Sequence, residues 1–241
     1  MTTADLIRNR FERLHAEFGS LVTPEPSKIR IELPLKNGVG QYEYNIKKIV
    51  DNDREQSLDR NDVFVPNFIG LLYGFQNTDT ELPQTMSLYP YAPYFGGADS
   101  VSKEGFTNED ANALYNGKLT LQIDNNMILN AYPTENFKKV PVEQGCVIYD
   151  GEQLVNMDVQ PSFTIQEACE LVIPRILLAG TRDIKFRVNF NGAGLTFPTA
   201  NENDDTLQPV LVLYMDGFLM KNGCEKGIGV GEKISQVVGS W

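Results

Sequence analysis

The fold is indicated by a short stretch, Lys28-Ile29-Arg30-Ile31-Glu32-Leu33, in which charged and apolar residues alternate at every position. A second alternating stretch, Gln41-Tyr42-Glu43-Tyr44-Asn45-Ile46-Lys47, follows after residues 36–40. Because successive side chains of a strand point to opposite faces, this alternation predicts two half-buried strands. The turn chemistry of residues 36–40 predicts that the two strands form a β-hairpin.

Similar runs recur along the rest of the chain and bring the number of predicted strands to about ten. The others lie at residues 63–65, 68–75, 118–123, 127–132, 146–149, 162–165, 184–190 and 210–215. Beyond the N-terminus, helical patterns are confined to residues 108–115 and 165–171. Short strands separated by turn residues, with few helices, predict a mainly β fold: a β-sandwich, a jelly roll or a barrel.

Residues 3–19 predict an amphipathic N-terminal helix. Thr2 or Thr3 can cap it, Asp5 suits its first turn, and Gly19 can take the left-handed conformation at its end. Its apolar residues recur at spacings of three and four and form one narrow stripe. We expect the stripe to pack on the core of its own domain, with docking on a neighbouring subunit as the alternative. Four stripe residues are the candidate interface residues of this arm: Ile7, Phe11, Leu14 and Phe18.

No internal repeat or low-complexity linker divides the chain. We therefore expect an N-terminal helical arm at residues 1–22 and one β-sandwich domain at residues 23–241, with a long loop at residues 77–107. That loop gathers aromatic rings on a proline-stiffened backbone, which suits packing beneath the loop, contact with another subunit or binding of a sugar. Its candidate interface residues are Tyr89, Tyr91, Tyr94 and Phe95.

The charge balance argues against nucleic acid as a partner. The chain has 21 basic and 32 acidic residues, a formal net charge of -11. Such a chain repels a polyanion at long range, so no strong direct nucleic-acid binding is expected. Arg8, Arg10 and Arg13 of the arm are expected on a solvated surface or at an interface. No apolar stretch reaches the length of a membrane span, and residues 1–19 are too charged for a secretion signal.

The residues needed for most catalytic and metal sites are scarce. His15 is the only histidine, which leaves little scope for a Ser-His-Asp triad or a transition-metal site. The cysteines Cys146, Cys169 and Cys224 are widely spaced and are expected to be buried as small hydrophobic residues. We accordingly predict no catalytic residue, no metal and no cofactor, and a protein that is not an enzyme.

Two further stretches resemble ligand loops only superficially. Residues 51–62 place oxygen-bearing side chains at a calcium-loop spacing, but Gln56 stands where the sharp turn needs glycine, so a solvated acidic connection is expected. Whether this segment binds a cation between subunits stays open. Residues 227–233 are glycine-rich and end in Lys233, but they lack the Gly-Lys-Ser/Thr of a phosphate loop.

The chain resembles bacteriophage virion structural proteins of the jelly-roll capsid type. The resemblance is carried by three sequence segments, at residues 58–65, 113–121 and 136–141, together with the β-rich layout and the helical arm. The resemblance is a general one that extends over most of the chain and includes no diagnostic family motif. No functional residues can be assigned from it. It implies a β-sandwich of jelly-roll type that self-associates into a shell. The β domain would be the repeating unit of that shell, and the arm would connect neighbouring copies.

We therefore expect a structural assembly protein, a major or minor capsid component. Its partners would be copies of itself and other virion proteins, and its location the virion, assembled in the bacterial cytoplasm. Two alternatives stay open. One is a lectin-like module that binds carbohydrate through the aromatic loop, and the other is a hydrolase that uses carboxylates alone.

Overall fold

The computed structural model describes residues 3–36, 38–47, 57–77, 88–89, 115–139, 147–150, 153–156, 168–190 and 207–228. Within these ranges the chain forms one α-helix at its N-terminus and is otherwise mainly β, as the sequence predicts. In chain order the elements are α1 (Thr3–Phe18), β1 (Glu25–Pro34), β2 (Gln41–Tyr44), β3 (Val63–Asn77), β4 (Leu88–Tyr89), β5 (Lys118–Ile123), β6 (Asn126–Pro133), β7 (Val147–Asp150), β8 (Gln153–Asn156), β9 (Glu170–Leu171), β10 (Leu178–Ala179), β11 (Ile184–Asn189) and β12 (Leu207–Met220).

Most of the strands belong to two antiparallel sheets. The large sheet has the order β1-β12-β3-β10, and β4 and β9 also pair with β3. The small sheet has the order β2-β11-β5-β6, and β7 and β8 pair with each other. The strand pairs are nested along the chain: β1 pairs with β12, β2 with β11, β3 with β10 and β5 with β6.

The period-two pattern places the core correctly in the small sheet. In β5, Leu119, Leu121 and Ile123 are buried, and β11 buries alternate residues opposite them, with Phe186 facing Leu121 in register. The inner faces of the two sheets share one hydrophobic cluster. The large sheet contributes Ile29, Ile31, Phe64, Ile69, Leu71, Tyr73, Leu211, Leu213 and Met215 to it, and the small sheet contributes Tyr42, Tyr44, Leu119, Leu121, Ile123, Ile184, Phe186 and Val188.

A β-bulge joins what the sequence predicts as two strands into the single strand β3. Gly217 of β12 pairs with Pro66, and Asp216 pairs with Phe68, so Asn67 is an extra residue in β3. The bulge shifts the alternation by one residue, and Phe64 and Ile69 consequently face the same core although they are five positions apart. Position 217 requires glycine, because a Cβ there would lie 2.1 Å from the Val65 carbonyl oxygen.

Three local predictions are wrong. Strands β1 and β2 both form but do not make a hairpin, because β1 pairs with β12 in the large sheet and β2 with β11 in the small sheet. The helix predicted over residues 165–171 is not found in its described part, where Glu170–Leu171 is a strand paired with β3. Gly19 does not have a positive φ; glycine is needed there because a Cβ would lie 2.2 Å from the His15 carbonyl oxygen.

Some predicted segments cannot be compared with the structure. Residues 108–114 of one predicted helix, the predicted strand 162–165 and nearly all of the predicted loop 77–107 lie outside the described residues. The predicted boundaries of the arm, residues 1–22, and of the β domain, residues 23–241, stay predictions.

Candidate functional site

The outer face of the large sheet carries an apolar surface on which α1 lies. We call this surface the helix seat. It consists of Val63 and Val65 of β3, Phe218 and Met220 of β12, and Ile228, which lies beyond the end of β12 and packs against them. Its members are at most 5% exposed in the presence of α1. Alternation along β3 and β12 explains the position of the helix seat, because these strands bury other apolar residues on the inner face of the same sheet.

The apolar stripe of α1 packs on the helix seat. Leu14 is completely buried and Phe18 is 8% exposed, while Ile7 and Phe11 are partly buried against the same cluster. The rings of Phe11 and Phe218 lie 5.4 Å apart in a tilted arrangement. The expectation that the stripe packs on its own chain is thus met, and the role of these four residues in contacts between copies stays a prediction.

Arg10 reaches from α1 to the bulge of β3. Its Nη1 donates to the carbonyl oxygen of Pro66 (3.1 Å) and to Oδ1 of Asn67 (3.1 Å), and its Nη2 donates to the carbonyl oxygen of Val172 (2.8 Å). The first two acceptors lie at the bulge, where the ladder is interrupted, and the Val172 carbonyl lies directly after β9. Burial lowers the pKa of the half-buried Arg10 guanidinium, and the nearby charge of Arg175 lowers it further. Arg10 therefore fixes the position of α1 along the sheet.

This contact of Arg10 was not predicted from the sequence, because Arg8, Arg10 and Arg13 were all expected on a solvated surface or at an interface. Arg8 and Arg13 are exposed, as a solvated helix face requires. One signal was available in the sequence. Pro66 interrupts an apolar run, and proline inside a strand marks an edge or a bulge, where backbone acceptors are left unpaired.

A second polar contact holds the C-terminal half of α1. Arg175 Nη1 lies 2.8 Å from Oε2 of Glu17, and both side chains are partly exposed. Arg175 follows β9 in the chain, and the Arg10 acceptor Val172 lies three residues before it. The segment 172–175 therefore runs beside α1 and contacts it at two levels.

The second group of predicted interface residues lies almost entirely outside the described residues. Tyr91, Tyr94 and Phe95 are outside them, and of Tyr89 only the backbone is described, in β4, where it pairs with Tyr73. The role of the aromatic loop stays a prediction.

The described part of the predicted calcium segment is used for internal contacts. Residues 51–56 lie outside the described ranges. Asp62 is 9% exposed and its Oδ1 accepts a hydrogen bond from the backbone N–H of Asn222 (2.8 Å). In the described part of the chain, no three His, Cys, Asp or Glu side chains come together as they would around a metal ion.

The surroundings of the described cysteines and of the single histidine do not favour a catalytic role. Cys169 and Cys224 are buried, as predicted, and form no disulfide, and Cys146 lies outside the described residues. Burial raises the pKa of the Cys169 thiol to about 12, with Asp216 and Glu170 adding to the shift. A thiol held in this way is a poor nucleophile. His15 is exposed on α1 and its ring stacks with Phe11 at 6.1 Å.

A charged contact closes the turn between β5 and β6. Asp124 has a positive φ of 51°, and its carboxylate accepts hydrogen bonds from Arg182 Nη1 (2.7 Å) and from the backbone N–H of Asp183 (3.0 Å). Partial burial raises the pKa of Asp124, but these two bonds and nearby positive charges outweigh it and leave the pKa below its ordinary value. The contact ties the β5–β6 turn to the segment before β11.

Comparison with known proteins identifies no relative. No protein-family model, no curated protein and no solved structure matches this chain. Among the described residues, no helix has the length and apolar character needed to cross a bilayer.

Proposed function

We propose that this chain is a structural assembly protein that forms a homo-oligomeric shell, a capsid component of a bacteriophage particle built in the bacterial cytoplasm. The observation that carries the proposal is the nested strand pairing. In a jelly roll, eight strands form two four-stranded sheets, and the chain folds as a long antiparallel ribbon in which the first strand pairs with the last. Shell proteins of viruses are a frequent use of that fold.

The strand order supports the jelly-roll assignment. If β9 and β10 are counted as one position, eight positions are occupied in turn by β1, β2, β3, β5, β6, β9/β10, β11 and β12. Their nested pairs are first with eighth, second with seventh, third with sixth and fourth with fifth. The remaining strands β4, β7 and β8 lie in the connections between these positions. A lectin domain can have the same fold, so the fold alone does not decide the function.

An assembly role is favoured over catalysis by the chemistry of the described side chains. The described cysteines are buried, Arg10 is occupied by backbone and amide acceptors, and Asp62 and Asp124 accept hydrogen bonds from the chain itself. Among the described residues, these groups are engaged in internal contacts, which supports action through the outer surfaces. We therefore propose that the protein is not an enzyme.

The mass of the purified full-length chain in solution tests the proposal. We expect light scattering to give a mass many times that of one chain, and negative-stain microscopy to show rings or closed particles of uniform size. A monomer at every concentration would contradict the assembly role. Binding of the monomer to members of a glycan array would then favour the lectin-like alternative.

A further inference from the structure

We propose that α1 is exchanged between copies of this chain, so that in the assembly the helix of one copy lies on the helix seat of its neighbour. This inference rests on the proposed function and specifies how the N-terminal arm would join the copies. Its partner surface is therefore a second copy of the same chain.

The first support is the way in which α1 is held. At its C-terminal end the backbone bonds close locally, from Gly19 N to His15 O (2.8 Å) and from Val22 N to Phe18 O (2.9 Å). Arg10 and Glu17 contact the rest of the chain through their side chains. The helix takes no part in either sheet, so it can leave its position without opening a strand ladder.

The second support is the specificity of the helix seat. The helix seat offers an apolar surface to Leu14 and Phe18. Residues beside it offer three acceptors to Arg10 and the guanidinium of Arg175 to Glu17. An α1 from any copy matches these groups equally well. Exchange therefore keeps every contact between α1 and the helix seat, and changes only which chain supplies the helix.

The third support is the connection between α1 and β1. Residues 19–24 make no strand pairing and carry Leu21, whose surface is 50% exposed. Residues 19–22 form a turn closed by bonds to His15 and Phe18 of the same arm. If this turn opens, the six residues in extended conformation span about 20 Å, which lets the helix reach a copy in contact with its own chain. A terminal element on a short connection is the usual element exchanged in domain swapping.

The test uses two variants, each with a single cysteine, in a chain whose native cysteines Cys146, Cys169 and Cys224 are replaced by alanine. One variant carries Glu17→Cys and the other carries Arg175→Cys together with a tag that makes its mass distinct. The two side chains meet in the native contact (2.8 Å), so a short thiol-to-thiol reagent can join the cysteines only where a helix lies on a helix seat. Co-expression allows the two variants to assemble together.

We expect the assembled fraction to yield a cross-linked species that contains one chain of each variant, and the monomeric fraction to yield none. Replacing Glu17→Cys by Glu12→Cys gives the matched control, since Glu12 is exposed and pairs with Arg8 on another side of α1. This control should lose the cross-link between chains.

Two results would overturn the inference, and they separate it from the proposed function. A third variant that carries both Glu17→Cys and Arg175→Cys in one chain reports on the helix within its own copy. If assemblies form but only this third variant cross-links, and does so within one chain, assembly stands and α1 stays on its own chain. If no assembly forms at any concentration and no cross-link joins two chains, both the proposed function and the exchange are wrong.

Discussion

Arg10 links the N-terminal helix to an irregularity in a distant strand. Its guanidinium satisfies two backbone carbonyl groups and the Asn67 side chain at the point where the bulge interrupts the pairing of β3 with β12. Buried acceptors without a donor are costly, so the bulge and the arginine stabilise each other. The helix is held in register by this polar contact and in place by apolar packing.

We predict that Arg10→Met lowers the free energy of unfolding by about 2 to 4 kcal/mol, because three acceptors lose a charged donor. Methionine has nearly the helix propensity of arginine, so the loss can be attributed to the contact. Urea denaturation measures it. Arg13→Met is the matched control on the exposed side of α1 and should change stability by less than about 0.5 kcal/mol. Equal effects of the two variants would contradict the role of Arg10.

Cys169 should behave as a buried apolar residue. It is 8% exposed, and burial raises its pKa to about 12. The thiolate is the reactive form, so we expect almost no alkylation of Cys169 by iodoacetamide in the native protein near neutral pH, and complete alkylation in urea. Mass spectrometry of the Cys169 peptide measures both. Rapid alkylation without urea would show that this part of the large sheet opens.

Among the elements, α1 is held on the large sheet by two side chains, Leu14, which is completely buried, and Phe18, which is nearly so. We predict that Leu14→Ala lowers the free energy of unfolding by about 2 to 5 kcal/mol, because it opens a cavity between α1 and the helix seat. Leu21→Ala makes the same chemical change at a residue that is 50% exposed and should cost less than about 0.5 kcal/mol. Thermal or urea unfolding distinguishes them, and similar losses would mean that α1 does not pack as described.

The Asp124 contact at the turn between β5 and β6 should make the stability of the protein sensitive to acid. A carboxyl whose folded-state pKa is lowered contributes stability above its ordinary pKa, and that contribution is lost as the pH falls through the folded-state value. For Asp124 the window therefore lies below about pH 3.8. We expect Asp124→Asn to flatten the dependence of stability on pH in that window, since asparagine also tolerates the left-handed backbone of the turn.

Arg182→Met removes the same contact from the other side. Urea denaturation at a series of acidic pH values should show a flattened acid limb in this variant as well. If both variants keep the slope of the unchanged protein, the Asp124–Arg182 contact does not govern its acid sensitivity.

The sequence predicted which residues form strands better than which strands pair. Alternation identified the buried faces of β1, β2, β5 and β11, because a strand with one buried face must repeat every two residues. The same pattern says nothing about neighbours, and the predicted β1–β2 hairpin was wrong because each strand pairs with a distant part of the chain. Residues 165–171 were misjudged because the apolar residues at 165, 168, 169 and 171 match a helical spacing over only about two turns, which is too short to decide between helix and strand.

The candidate site was predicted only in part. The apolar stripe of α1 follows from its spacing, whereas the Arg10 contact depends on a bulge more than 50 residues away in the chain, which no local pattern encodes. Gly19 was correctly singled out for the wrong reason, since the proximity of the His15 carbonyl group, and not a positive φ, requires glycine.

At the scale of the whole molecule, the net charge of -11 opposes association of copies at neutral pH. Residues 78–114, 140–167 and 191–206 contribute much of it, because they contain many acidic residues and one basic residue, Lys103. If the protein assembles as proposed, salt should strengthen assembly by screening this repulsion. We expect light scattering to show larger assemblies at about 0.5 M salt than at about 0.02 M. Weaker assembly at high salt would mean that ion pairs between copies dominate.

The nested pairing also determines the order in which strands can pair while the chain is being synthesised. Strands β5 and β6 meet across a tight turn, where Ile123 pairs with Asn126, so their ladder can close early in translation. Strand β1 has to wait for β12, because Glu25 pairs with Leu219 near the other end of the described chain. A ribosome that stalls before β12 therefore leaves β1 without its neighbour in the described large sheet and one side of β3 open. Such nascent chains would be targets for chaperones and proteases, which makes completion of translation a condition for a stable product.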